Sequence, residues 1–191
     1  MMTAKPTKKI NLKYICFLGL ISAIALVIIE TKFLNVPIIP AVGFLQYDPA
    51  DIVITLGGIV CGPMAVIWTS LVTAGVEMLT VSGTGPIGFA MNFISTVSFA
   101  LPVCLFYKHK NKFSWLLFSL IISVFFMTSI MCFANCVVAP YWMGVDRIVV
   151  YNLLWSGFVP FNLLKGGINA VGVLLLYKPV SLTRRTVSHK A

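Results

Sequence analysis

The chain has 191 residues, 59% of them hydrophobic and 10% charged, against roughly 45–50% and 25% in soluble globular domains, which excludes a water-soluble single domain. Six bilayer crossings of ~20 residues each would use roughly 120 residues, leaving only short loops and no room for a soluble catalytic domain. Fourteen basic against five acidic residues give a net charge of +9, but no basic run interleaved with aromatics marks a nucleic-acid surface, and the charge instead punctuates apolar segments.

Residues 12–29 are an apolar run interrupted by Lys13 and Ser22, long enough at ~1.5 Å per residue to cross a membrane as a helix over 12–30. The run exceeds the core of a signal peptide and is followed by Glu30-Thr31-Lys32 rather than a small-residue cleavage site, so it reads as a retained helix. Residues 31–49 hold Pro37, Pro40, Gly43 and Pro49 among apolar and aromatic side chains. That composition resists regular helix yet is too apolar for a solvated linker, and predicts an outer lid folded back onto the protein.

Asp48 and Asp51 flank Pro49 and supply an N-cap and an acidic first turn for a helix over 50–61. Gly62-Pro63 breaks it and opens a third helix over 63–81. A tight turn at 82–86 precedes a fourth helix over 87–107, and Lys108, Lys110 and Lys112 mark a charged hinge. The fifth helix is predicted over 113–139. It is followed by a loop at 140–147 whose Tyr141 and Trp142 read as interfacial anchors. The sixth helix spans 153–177 with a kink at Pro160, before a basic tail carrying Lys178, Arg184, Arg185 and Lys190. The expected architecture is therefore all-α: a single membrane domain over 1–191 with six transmembrane helices.

The amino-terminal segment, the hinge and the tail together hold eleven of the fourteen basic residues. A six-helix count puts all three on one side, which the positive-inside rule makes the cytoplasm, so both termini are expected there. Glu30, Asp48, Asp51, Glu77 and Asp146 then fall in the outer half or outer loops. The five cysteines, Cys16, Cys61, Cys104, Cys132 and Cys136, sit inside apolar stretches and read as packing residues rather than a disulfide framework.

An ionisable residue inside a spanning helix costs about 2.5–3.5 kcal/mol on insertion scales and normally faces a cavity or a partner. Lys165 is such a residue, and Asn162 and Asn169, three before and four after it, make one polar stripe. Gly166 and Gly167 beside it allow close approach of a ligand or a helix. Asn135 and Asn92 are expected at about the depth of Asn162, so Asn135, Asn162 and Lys165 converge on a pocket. Glu77 is left with three roles: a partner for Lys165, an ion ligand, or a group in an outer cleft. No P-loop sequence is present, His109 and His189 lie in basic segments away from the pocket, and the Gly83-x-Gly85 turn lacks a third glycine. No enzymatic chemistry, metal site or bound cofactor is expected. Gly19 and Ala23 form a small-xxx-small pair on the first helix, a face that lets backbones approach within a membrane.

The segments Phe44-Leu-Gln-Tyr-Asp-Pro-Ala-Asp51, Gly83-Thr-Gly-Pro-Ile-Gly88 with Met91-Asn92-Phe93, and Pro160-Phe-Asn-Leu-Leu-Lys-Gly166 strongly resemble the riboflavin-specific substrate-binding components of energy-coupling factor (ECF) transporters. The resemblance implies six helices, cytoplasmic termini and a vitamin site beneath the loop joining helices one and two. It implies that Asn135, Asn162 and Lys165 read the pyrimidine edge of riboflavin, with Asn92, Phe44, Leu45, Tyr47 and Met91 as further pocket candidates. Implied partners are riboflavin, with FMN as a second ligand, membrane lipid, and a transmembrane coupling subunit with two ABC-type ATPases, docked through Gly19 and Ala23. Riboflavin is then cargo rather than a cofactor. Rival readings keep the fold but change the vitamin to thiamine, biotin or a pantothenate-like molecule, or make the chain a self-sufficient carrier with Glu77 as its ion site, or an intramembrane redox enzyme built on the cysteines.

Overall fold

The computed structural model describes residues 12–31, 37–80, 83–110 and 112–188, of which 109, 110 and 181–188 by their backbone. Lys5, Lys8 and Lys9, lid residues 32–36, Val81, Ser82, Asn111, His189 and Lys190 lie outside the described residues, as do the side chains of His109, Arg184 and Arg185. The chain forms α1 (Leu12–Glu30), a 3-10 turn at Pro40–Val42, α2 (Ala50–Cys61), α3 (Pro63–Thr80), α4 (Gly85–Lys110) and α5 (Phe113–Met143). Then come α6 (Arg147–Leu153), a π-helical turn at Leu154–Phe158 and α7 (Val159–Ser188). Five helical stretches are long and apolar enough to cross a membrane, with mean hydropathy from 1.3 to 2.5, and the last of them runs from Arg147 to Val180 through the π turn.

The 12-residue α2 is shorter than the ~20 residues a full crossing needs. It packs against α1, α3, α4 and α7, and Ile54 to Ile59 are all buried. The main core joins Ala25 of α1, Ile54 of α2, Phe99 and Val103 of α4, Leu116 and Met127 of α5, and Val173 of α7. Outside it, Leu20, Val27, Phe125 and Leu175 are exposed, as suits side chains that face lipid.

The structure departs from several expected bounds: the fourth helix runs over Gly85–Lys110 rather than 87–107, and the last helical stretch begins at Arg147 and ends at Ser188 rather than spanning 153–177. The fifth helix does not stop at 139: α5 continues through Pro140 to Met143. Pro140 removes one helical hydrogen bond without ending the helix. Gly144 ends it, with a left-handed φ of 64° and its N–H donating to the Pro140 carbonyl, which Val145 N–H also reaches. Where a kink was expected at Pro160, the irregularity lies upstream, as a π turn at Leu154–Phe158. Pro160 itself sits in the first turn of α7, where a missing N–H costs little. Finally, Asp48 accepts the Ala50 N–H at 3.1 Å, but the residue at the cap position of α2 is Pro49, with no side-chain cap bond.

The lid folds back as expected from its composition. Val42 is fully buried among Ala139, Val150, Phe158 and Phe161. A Cβ on Gly157 would lie 2.5 Å from Val42 Cγ1, so the π turn admits the lid because residue 157 has no side chain. Gly157→Ala should therefore cost about 1–3 kcal/mol by overpacking. Val42→Ala in the same chain should recover most of it. Thermal melting in detergent checks both, and a Gly157→Ala protein as stable as the parent would show that the lid is not seated there.

Candidate functional site

Beneath the lid lies a cavity of about 350 Å³, within the size range of small-molecule sites. Lid residues Phe44, Leu45, Gln46 and Asp48 cover it, α3 contributes Glu77, and α4 contributes Ile87, Met91, Asn92 and Ser95. From α5 come Met131, Asn135 and Trp142, and from α7 Phe161, Asn162 and Lys165. Of the eight pocket candidates named from sequence, Asn135, Asn162, Lys165, Asn92, Leu45, Phe44 and Met91 all line this cavity. Tyr47 does not: its hydroxyl turns away and donates to Asn169 Oδ1 at 3.0 Å. Burial, with Asp48 and Asp51 nearby, pushes the Tyr47 phenol up to about 12, so it donates as a neutral hydroxyl.

Helix geometry sets the two amides. Asn135 Nδ2 donates to the Met131 carbonyl and Asn162 Nδ2 to the Phe158 carbonyl, each 2.8 Å away and one turn back. Each bond holds the amide plane and leaves a second N–H and the oxygen for the cavity. Both residues are buried.

Lys165 is held by an ion pair. Its Nζ lies 3.2 Å from Asp51 Oδ2 and 3.9 Å from Asp48 Oδ2, with the Lys165 and Asp51 side chains only 7% and 3% exposed. A buried pair survives only if its remaining hydrogen-bonding capacity is met. Here Asp51 also accepts from Thr96 Oγ1 at 2.6 Å and from Asn169 Nδ2 at 3.1 Å. The stripe read from sequence thus divides: Asn162 and Lys165 reach the cavity, while Asn169 braces Asp51 behind it. Gly166 faces α5, where a Cβ would meet Val124 and Met127 at 3.1 and 3.2 Å, whereas Gly167 has open space.

Glu77 does not form the Lys165 pair offered as one of its roles. Asn92 Nδ2 donates to both of its oxygens at 2.8 Å, and the carboxylate lines the cavity. Sequence reasoning missed Asp51 and Asp48 as partners of the lysine, because two acids beside Pro49 carry an equally good explanation as helix-start residues. The available signal was charge balance: a membrane-buried cation requires an anion nearby. Trp142 was also missed. It lines the cavity, with its ring centroid 5.2 Å from that of Phe44, because α5 extends past Pro140.

A donor ammonium, two fixed amides and a carboxylate inside apolar and aromatic walls can hold a small, largely apolar molecule by one polar edge. Residues 13–177 match the profile of the ECF transporter substrate-specific component. The chain belongs to this family.

This S component is 31% identical over 180 residues to a protein of Staphylococcus aureus (strain TCH60) described as riboflavin transporter RibU, covering 90% of this chain and 93% of that one. It is 25% identical over 180 residues to a Streptococcus thermophilus (strain ATCC BAA-250 / LMG 18311) protein of the same description, covering 89% of this chain and 83% of that one. A solved S component of a bacterial ECF transporter superposes with a TM-score of 0.77 at 30% identity, covering 90% of this chain and 96% of that chain. The S component is thus a multi-pass protein of the cell membrane, all-helical, in a transport family.

Proposed function

We propose that this S component captures riboflavin in the cavity beneath its lid and delivers it inward when joined to a transmembrane coupling subunit and two ABC-type ATPases. The observation that carries the reading is the convergence of Asn135, Asn162 and Lys165 on one cavity lined by Met91, Phe161 and Trp142. An amide accepts from a ring N–H and donates to a ring carbonyl, lysine donates to a second carbonyl, and a flat apolar body suits the walls. The two relatives described as riboflavin transporters support that substrate. FMN is the second ligand in this reading, its phosphate at the far end of the tail from the ring contacts.

With the basic segments on the cytoplasmic side, the lid and cavity open outward. On α1, Cys16, Gly19 and Ala23 are exposed, while Ser22 turns inward and is buried. A Cβ at Gly19 would meet nothing within 4 Å, so this face is free to take the coupling subunit. The chain's own work is binding and passage, and flavin is its cargo.

Purified protein should quench the fluorescence of added riboflavin with one-to-one stoichiometry and carry a flavin absorption spectrum when prepared from riboflavin-fed cells. Absence of quenching, together with tight binding of thiamine or biotin, would transfer the cavity to another vitamin.

A further inference from the structure

A second void, of about 20 Å³, lies behind the main cavity among α2, α3, α4 and α7. Room for one water-sized guest begins at roughly 10–15 Å³, so this void takes a single small occupant. Ser70, on its wall, is 2% exposed and its Oγ has no hydrogen-bond partner. A buried hydroxyl inside a helix ordinarily donates to a carbonyl one turn back, as Thr69 and Thr73 do on the same helix. Ser70 does not, which marks a missing partner.

The wall chemistry says what that partner is. Thr73 spends its proton on the Thr69 carbonyl, Thr96 spends its proton on Asp51, and Asn92 donates its amide to Glu77. Lys165 is engaged by Asp51 and Asp48. What remains toward the void is oxygen lone pairs and one unspent proton, that of Ser70, which can turn to a carbonyl one turn back when its lone pair is engaged. The wall carries three carboxylates, Asp48, Asp51 and Glu77, against one ammonium. Uncompensated negative charge at membrane depth is costly, and a small cation removes part of it where a neutral water does not.

We propose that this void binds one sodium-sized monovalent cation, with Ser70, Thr73 and Asn92 as neutral oxygen ligands and Glu77 as the neutralising carboxylate. The described residues contain no group of three or more His, Cys, Asp or Glu arranged to hold a metal ion. Hydroxyl and amide oxygens therefore make most of the coordination, which fits a weakly held monovalent ion rather than calcium or a transition metal. Glu77 and Asn92 line the main cavity as well, so the site is tested with no vitamin bound.

The test uses the purified full-length protein without vitamin, titrated with sodium chloride against choline chloride at constant ionic strength. The melting midpoint should rise by about 2–4 °C and saturate, and radiolabelled sodium should be retained in a saturable manner. Ser70→Ala should abolish both responses while folding normally, since it removes a hydroxyl that has no partner. Thr73→Val should do the same by removing a second ligand. A parent protein indifferent to sodium, which would leave the void to an ordered water, overturns the proposal. So does a sodium response unchanged in both variants.

Discussion

Replacing Lys165 with alanine should weaken riboflavin binding by about 1.5–3 kcal/mol, roughly ten- to 150-fold, through loss of a charge-assisted hydrogen bond. The same change should destabilise the fold by about 3–5 kcal/mol, because it strands a buried Asp51 whose side chain is 3% exposed. The two effects separate in a second variant. Combining Lys165→Ala with Asp51→Asn removes the stranded charge; the single asparagine oxygen can keep the Asn169 bond while its NH2 donates to Thr96 Oγ1, which then accepts instead of donating, so most of the stability should return and affinity should not. Melting temperature and fluorescence titration read the two quantities independently. A Lys165→Ala protein with parental affinity and parental melting would remove the lysine from both roles.

The second large effect concerns transport rather than binding. Replacing Gly19 and Ala23 together with leucine fills an exposed face of α1 that touches nothing within the chain at Gly19. Two leucines would hold a partner helix away, and the lost seam is not recovered from lipid, which is as apolar as leucine. The cavity takes Ile29 from α1 and its remaining walls from the lid, from the turn at Gly83 and Thr84, and from α3, α4, α5 and α7. Riboflavin binding should therefore persist at near-parental affinity while cellular uptake falls to background. Surviving uptake would move the docking surface elsewhere, and uptake into vesicles containing this chain alone would replace the ATPase-driven reading with a self-sufficient carrier.

Residue patterns along the chain were sufficient for the membrane class, for the lid and for a cluster of pocket candidates. Apolar runs of bilayer length, proline-rich apolar linkage and intramembrane polar residues each carry their meaning locally. That is why Asn135, Asn162 and Lys165 could be named before any fold was known. Helix ends were less legible where proline was involved: Pro140 reads as a terminator, yet the left-handed Gly144 ends α5, and the helix that continues to it brings Trp142 over the cavity.

Partnership across the bundle was not legible at all. Lys165 and Asp51 are 114 positions apart, and Asn169 and Asp51 118 apart, so only the packing of α2 against α7 decided that Asp51, and not Glu77, neutralises the lysine. The same packing turned Tyr47 toward Asn169, paired Glu77 with Asn92 and left Ser70 facing a void. Sequence alone determined which polar groups the membrane would have to accommodate; the tertiary structure decided which of them satisfy one another and which remain available to a ligand, because hydrogen bonds and ion pairs between helices depend on contacts of high sequence separation that no local periodicity records.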